Sequence, residues 1–151
     1  MVLTQKESGL LKDLRTQEQL CIEKYNKYAC LACDPNLKEL FMSIKDTEKK
    51  HLNTVNQMLG TDQNAEAQFS SFACDDPHST QACPADVDKK KYDAYLCQDI
   101  LATEKHVSSL YDLSIFEFAD PAARNALNEI QKDEQHHGEQ IYNYMSKNGL
   151  Y

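Results

Sequence analysis

Apolar residues recur along most of the chain at spacings of three and four positions, a pattern typical of amphipathic α-helices. We therefore predict four long helices, the first of which begins after Thr4, an expected N-cap whose capping box would be closed by Glu7. The positions predicted to face inward are, helix by helix, Leu10, Leu14, Glu18, Cys21, Tyr25, Tyr28 and Ala32; Leu37, Leu40 or Phe41, Ile44, Glu48, His51, Val55 and Met58; Tyr92, Leu96, Ile100, Glu104, Val107, Tyr111, Ile115 and Phe118; and Ala123, Leu127, Ile130, Glu134, His137, Ile141 and Met145. Each stripe thus includes a glutamate, and the second and fourth also include a histidine.

The ends of the predicted helices carry typical turn and cap residues. Asp34-Pro35 and Asp120-Pro121 each combine an aspartate suited to an N-cap with a proline suited to the first position of a helix. Gly60 and Gly149 are predicted to end the second and fourth helices, because glycine readily adopts the left-handed backbone that follows a helix. The helices are therefore expected to form two hairpins.

Glutamate and histidine recur at the same places in the two hairpins. Three pairs of residues are separated by the same 86 positions: Glu18 and Glu104, Glu48 and Glu134, and His51 and His137. The two Asp-Pro turns share this separation. We interpret the chain as two copies of one unit, in which a helix with a glutamate is followed by a helix with Glu-x-x-His.

These side chains are suited to binding two metal ions. In Glu-x-x-His the carboxylate and the imidazole lie on one face of a helix, within reach of one ion. Burying four glutamates in apolar stripes carries a desolvation penalty that a cation between them would offset. Such oxygen and nitrogen ligands suit iron, our first choice, or manganese, and zinc could occupy them too. The predicted ligands are Glu18, Glu48, His51, Glu104, Glu134 and His137. The alternative is that these residues lie on solvated helix faces.

This ligand set in a four-helix bundle is that of the ferritin-like di-metal carboxylate proteins. Residues 61–87 fit this fold, because they lack helical periodicity and are numerous enough for a crossover along the length of the helices. A loose insertion is the alternative. We therefore expect a single all-α domain over 1–151, a ferritin-like four-helix bundle. Its two hairpins would span 5–60 and 88–148, with the third helix beginning near Asp86-Val87.

Three further residues could assist the predicted ligands. Asp133 could orient His51 through the second ring nitrogen of the imidazole. Thr47, at the corresponding place in the first half, cannot supply the same charge. Tyr25 and Tyr111 could hydrogen-bond a ligand carboxylate or donate an electron, and the alternative is that they are ordinary core tyrosines.

Composition limits the partners and the location of the protein. The formal charge of −8 opposes binding to nucleic acid or anionic lipid, because both require a basic surface. The sequence does not approach the about 20 consecutive apolar residues that span a bilayer, and its N-terminus lacks the apolar run of a secretory signal. We expect synthesis in the cytoplasm without membrane insertion, and we consider a homodimer as the assembly.

The six cysteines leave several arrangements open. Cys30 and Cys33 form a C-x-x-C at a helix end, where the predicted crossover would bring Cys74 and Cys83. These four could form disulfides, build a separate thiolate metal site or stay unpaired. A thioredoxin-like site is not expected, because the C-x-x-C does not follow a strand.

Three segments of the sequence resemble the coat F family of spore coat proteins: Leu20–Tyr25, Tyr95–Asp99 and Thr103–Tyr111. The resemblance implies a ferritin-like fold and a place in the spore coat. More remotely, the order of the ligands is similar to that of rubrerythrins, bacterioferritins and manganese catalases, which implies a di-metal centre. The chain has one C-x-x-C where the rubredoxin-like module of rubrerythrins needs two, so electron delivery by that route is not expected.

Two functions agree with this resemblance. In the first, a pair of iron or manganese ions reacts with peroxide or oxygen, as in a peroxidase, catalase or ferroxidase. In the second, the protein is a structural coat component whose partners are other coat proteins, and its metal site stabilises the bundle or is vestigial. We favour a di-metal protein of the coat F family and leave turnover open.

Overall fold

The computed structural model describes residues 1–61 and 83–151, and four long helices account for most of them. The helices are α1 (Gln5–Leu31), α2 (Pro35–Leu59), α3 (Lys89–Glu117) and α4 (Pro121–Lys147). The part of the chain that the structure describes contains no β-strand. The predicted all-α fold is therefore confirmed.

The predicted caps set the beginnings of the helices. The Thr4 side chain accepts the N–H of Glu7, and the Glu7 carboxylate accepts the N–H of Thr4, which completes the capping box. Asp34 and Asp120 are the N-caps of α2 and α4, each followed by proline. The third helix begins slightly later than predicted, because Asp88 is its N-cap and accepts the N–H of Lys91.

Gly60 ends α2 in the left-handed conformation, with a φ of 69°, as predicted. The end of α1 is held by buried polar side chains that the sequence did not reveal. Lys38 Nζ donates to the carbonyl oxygen of Cys30 at 2.9 Å, and Asp93 accepts the N–H groups of Cys33 and Asp34 at 2.7 and 2.9 Å. Backbone groups left unpaired at a helix end thus find partners on α2 and α3.

Contacts between helices define the topology of the bundle. The hairpins α1–α2 and α3–α4 pack most extensively, and α1 also packs on α3 while α2 packs on α4. Cys33 at the end of α1 lies beside the start of α3, and Lys6 at the beginning of α1 pairs with Glu117 at the end of α3. Hence α1 and α3 are antiparallel, and α2 ends at the opposite end of the bundle from the start of α3.

This polarity is what a ferritin-like bundle requires. Most of the predicted crossover, residues 62–82 of 61–87, lies outside the described residues. The prediction of one ferritin-like domain over 1–151 therefore stays a prediction.

Two apolar clusters fill the bundle on either side of a polar layer. One contains Tyr25, Ile44, Ile100 and Ile141, and the other contains Leu14, Val55, Val107 and Leu127. On every helix the predicted ligands lie between members of the two clusters. Fully burying each such aliphatic or aromatic side chain contributes about 1.5–3 kcal/mol, so packing on both sides fixes the depth of the polar layer.

Most of the predicted inward positions are buried, and the differences follow from helix geometry. Of the two residues predicted as alternatives in α2, Leu40 and Phe41, it is Phe41 that is fully buried. In α1, Leu11 is fully buried and its predicted neighbour Leu10 is not. The predicted inward positions that are only half-buried are Leu10, Tyr28, Leu40, Met58, Tyr92 and Ile115. Four of these six lie in the first or last turn of a helix, where the bundle opens to solvent.

Candidate metal centre

The six predicted ligands meet in the polar layer at the middle of the bundle. Each helix supplies one glutamate, and α2 and α4 each add a histidine one turn further along. All six are almost completely buried: Glu18 and Glu48 are 0 % exposed, Glu134 1 %, Glu104 and His137 2 %, and His51 3 %. The alternative, in which they lie on solvated helix faces, is therefore wrong.

The cluster divides into two groups of four residues that share two glutamates. Glu18 and His51 join Glu48 and Glu134 in the first group, and Glu104 and His137 join the same two glutamates in the second. Within each group one ligand atom of every residue lies within 4.8 Å of the others. The arrangement therefore offers two adjacent positions for a cation, with Glu48 and Glu134 between them.

The two ring nitrogens of His51 have different neighbours. Nδ1 faces the centre, 3.0 Å from Glu48 Oε2 and 3.2 Å from Glu134 Oε1. Nε2 points outward and lies 3.1 Å from Asp133 Oδ2, the contact that the sequence suggested. The contact of Asp133 with the outer nitrogen favours the ring orientation in which Nδ1 faces the carboxylates.

His137 occupies the matching place in the second group. Its Nδ1 lies 3.3 Å from Glu48 Oε1 and 3.6 Å from Glu104 Oε2, and neither approach has hydrogen-bond geometry. The rings of His137 and His51 stack with their centroids 5.7 Å apart. The residue that corresponds to Asp133 in the first half is Thr47, which carries no charge, so the two histidines differ in their support.

Two buried tyrosines cross from one helix to the ligand of another. The Tyr25 hydroxyl on α1 donates to Glu104 on α3, and the Tyr111 hydroxyl on α3 donates to Glu18 on α1. Both tyrosines are 0 % exposed. Burial raises the pKa of each hydroxyl, and the negative charge of the neighbouring carboxylates raises it further. The sequence suggested a hydrogen bond to a ligand carboxylate, and the structure shows that it is the glutamate of the facing helix.

The carboxyl groups differ in their electrostatic surroundings. Burial raises the pKa of Glu18 and of Glu134, and the nearby glutamates raise both further. Burial also opposes ionisation of Glu48, but the imidazoles of His137 and His51 more than offset it and hold the pKa of Glu48 below its ordinary range. Burial lowers the pKa of His137, but the carboxylates of Glu104 and Glu48 raise it to about 9. Cation binding at this cluster would therefore release protons.

Several buried polar atoms of the cluster lack hydrogen-bond partners among the described residues. They are Glu18 Oε2, Glu48 Oε1, Glu104 Oε2, both carboxylate oxygens of Glu134 and His137 Nδ1. Buried polar atoms are rarely left without a partner, since each unsatisfied atom costs about 1–3 kcal/mol. These atoms have the chemistry of iron or manganese ligands, so the residues fit a di-metal centre.

The cysteines fall into three sets. Cys33 forms a disulfide with Cys83, and Cys30 is disulfide-bonded as well, so the disulfide alternative is confirmed for these residues. Cys21 and Cys97 are free and buried. The predicted contribution of Cys74 lies outside the described residues.

Comparison with known proteins identifies the second half of the bundle. Residues 92–151 match the family described as Coat F domain. The similarity to this family is shown for these residues. The match covers most of α3, all of α4 and the residues Glu104, Glu134 and His137. Two of the three segments that suggested the coat F family, Tyr95–Asp99 and Thr103–Tyr111, lie inside it.

The Coat F match supports the predicted relation to spore coat proteins. The searches of curated proteins and of solved structures gave no significant match. None of the described helices has both the length and the apolar character needed to cross a bilayer.

Proposed function

We propose that this Coat F protein binds two metal ions, iron first and manganese second, and uses them to react with peroxide or oxygen in the spore coat. The observation that carries the proposal is the pair of four-residue groups that share Glu48 and Glu134. Because the two positions share carboxylates, two cations bound there would be adjacent. Two adjacent metal ions can act together on one small molecule.

The donor set supports iron or manganese. Six oxygen and nitrogen donors, four of them carboxylates, suit these metals better than a thiolate-rich set would. When bound, such a pair of metals would pass electrons to peroxide or oxygen, and the electrons would come from ferrous iron or from a second molecule of peroxide. The chain supplies a buried cluster between two apolar layers, where electrostatic interactions are stronger than in water.

Residues around the ligands hold them in place. Asp133 fixes the ring of His51, and the hydroxyls of Tyr25 and Tyr111 each hold one carboxylate from across the bundle. Because Tyr25 and Tyr111 are fully buried, the two carboxylates that they hold are positioned before a metal arrives. Such preorganisation raises metal affinity and keeps the geometry of the centre constant.

Metal content and its loss in defined variants test the proposal. Wild-type protein isolated from its host should contain about two iron or manganese ions per chain by elemental analysis. Glu48→Ala should lose both metals, because Glu48 belongs to both groups, whereas Glu18→Ala should retain about one. Glu129→Ala, an exposed glutamate on α4, is the matched control and should keep the wild-type content. Metal-free wild-type protein, or equal content in all variants, would contradict the proposal.

Turnover is tested separately on the loaded protein. We expect consumption of hydrogen peroxide, or oxidation of added ferrous iron by oxygen, at a rate that Glu48→Ala abolishes. Loaded protein that does neither would point to the second candidate function.

The second candidate is a structural coat component, and the disulfide between Cys33 and Cys83 favours it. Disulfides staple proteins that work in oxidising surroundings. In this case the metals would only stabilise the bundle. Folded, metal-free Glu48→Ala protein would then assemble into the coat as the wild type does, and spores that carry it would resist peroxide normally.

A further inference from the structure

A cleft between α3 and α4 leads to the candidate metal centre. Its volume is about 520 Å³, and its lining includes Glu104 and Glu134 together with Leu101, Ser108, Gln131 and Gly138. Gln131 Nε2 donates to the carbonyl oxygen of Ser108 at 3.1 Å and so ties the two helices together at the cleft. The cleft is thus a fixed feature of the α3–α4 hairpin.

The floor of the cleft belongs to the centre itself. Glu104 and Glu134 are 2 % and 1 % exposed, and Glu104 Oε2 and both oxygens of Glu134 lack hydrogen-bond partners among the residues described. The carboxylate oxygens therefore lie just beneath the floor of the cleft, and a small movement of side chains would bring them into contact with a cation or small polar molecule that enters it.

Gly138 lies in the middle of α4 and lines this cleft. Glycine inside a helix costs about 1 kcal/mol relative to alanine, so its presence there needs a reason. Close helix packing is not that reason, because a Cβ at this position would meet only Leu101 Cδ1, at 3.6 Å, which is ordinary contact. Glycine does keep the wall of the cleft free of a side chain.

The first hairpin of the internal repeat shows which side chains can occupy the positions of Gly138 and Ser108. The residues 86 positions before Gly138 and Ser108 are Leu52 and Ile22. Leu52 is 8 % exposed and Ile22 is half-buried, so the first hairpin places large apolar side chains at both positions. One unit of the repeat therefore carries apolar bulk where the other carries a glycine and a serine.

We infer that the α3–α4 cleft is the entrance through which hydrated divalent cations reach the carboxylate centre, and that Gly138 and Ser108 keep it open. Small polar molecules that react at the centre would use the same entrance. The inference rests on the proposed function, because it assumes that the centre binds metal.

Uptake of Co²⁺ tests the entrance without any assay of turnover. Metal-free protein is mixed with Co²⁺, uptake is followed by the visible absorption of the bound ion, and final content is measured by elemental analysis. Gly138→Leu introduces at the cleft the residue type that the first hairpin has at the corresponding position, Leu52. This variant should take up Co²⁺ at least about tenfold more slowly, which is equivalent to about 1.4 kcal/mol in the barrier. Its final Co²⁺ content should be unchanged.

Two controls separate a blocked entrance from a damaged bundle. Gly138→Ala should take up Co²⁺ at the wild-type rate, because an added Cβ fits. Asn143→Leu puts the same leucine on an exposed position of α4 and should also behave like the wild type. Ser108→Ile narrows the cleft from α3 and should slow uptake even if Gly138→Leu fails to fold.

The outcomes distinguish the inference from the proposed function. If Gly138→Leu and Ser108→Ile take up Co²⁺ at the wild-type rate and to the wild-type final content, the inference of an entrance is wrong. The proposed metal centre would be unaffected by that result. Wild-type protein that binds no Co²⁺ would overturn the proposed function, and the entrance with it.

Discussion

Metal-free protein should become more stable when Glu134 is replaced by glutamine. Glu134 is 1 % exposed, and neither carboxylate oxygen has a hydrogen-bond partner in the described part of the chain. Burial raises its pKa, and the neighbouring Glu104 and Glu48 raise it further. The carboxyl group therefore keeps its proton in the folded protein at pH values where the unfolded chain has released it.

The sign and size of the effect follow from proton linkage. Because the folded-state pKa is raised, the contribution of Glu134 to stability is complete below its ordinary pKa of 4.5 and is lost as the pH rises above that value. The loss is about 1.4 kcal/mol per pH unit, which amounts to about 3 kcal/mol at pH 7. Glutamine does not ionise, so Glu134→Gln should recover up to this amount at pH 7 and nothing near pH 4.

Urea unfolding of chelator-treated protein between pH 4.5 and 7.5 measures this difference. Thermal unfolding should show the same gain at about 2–4 °C per kcal/mol for a chain of this size. Glu129→Gln, an exposed carboxylate on the same helix, is the matched control and should change little. A variant that is less stable than the wild type at pH 7, or a difference that does not grow with pH, would refute the reasoning.

The same variant should respond differently once metal is added. A ligand at a hundredfold excess over its Kd stabilises the folded state by about 2.7 kcal/mol. Wild-type protein should gain stability of this order with added metal, whereas Glu134→Gln should gain little because it lacks a carboxylate common to both groups. The stability advantage of Glu134→Gln at pH 7 should therefore largely disappear on loading.

Three further changes test the surroundings of the centre. Asp133→Asn weakens the support of His51 and should lower metal affinity about 10- to 100-fold, measured by competition with a chelator, with the fold intact by circular dichroism. Tyr111→Phe removes the hydrogen bond to Glu18 and should cost about 1 kcal/mol in urea unfolding of the metal-free protein; an unchanged midpoint would contradict this. Cys33→Ser opens a disulfide whose cysteines are separated by 50 positions and should cost up to about 4 kcal/mol, a loss that should disappear when wild type and variant are compared under reducing conditions.

The helices could be predicted because their signals are local. Threonine or aspartate at an N-cap, proline at the first helical position and glycine after the last act through the backbone of a few neighbouring residues. Thr4, Asp34, Asp120 and Gly60 all lie where those signals placed them. The start of α3 was set a little too early, because residues 86–88 offer two aspartates and only Asp88 caps the helix.

The depth of the centre was predictable for a different reason. A glutamate within an apolar stripe must be buried when the stripe is, so helical periodicity alone indicated that Glu18 and its counterparts enter the core. Which partners they find there depends on how the helices are staggered. The sequence could not show that Tyr25 reaches Glu104 rather than a ligand of its own hairpin, because nothing local sets the stagger of α1 against α3.

Departures from the repeat give the two four-residue groups of the candidate centre different surroundings. In the first group, His51 is held by Asp133, whereas the position that corresponds to Asp133 in the first hairpin is the uncharged Thr47. The cleft, in turn, reaches Glu104 of the second group and the shared Glu134. The histidine of the second group is therefore less supported, and the carboxylates of the second group lie closer to the cleft. Two identical copies of the unit would give two groups with the same support and the same access. On the proposed function, the first position would retain its metal more firmly, and the second would exchange its metal and contact small molecules from solvent.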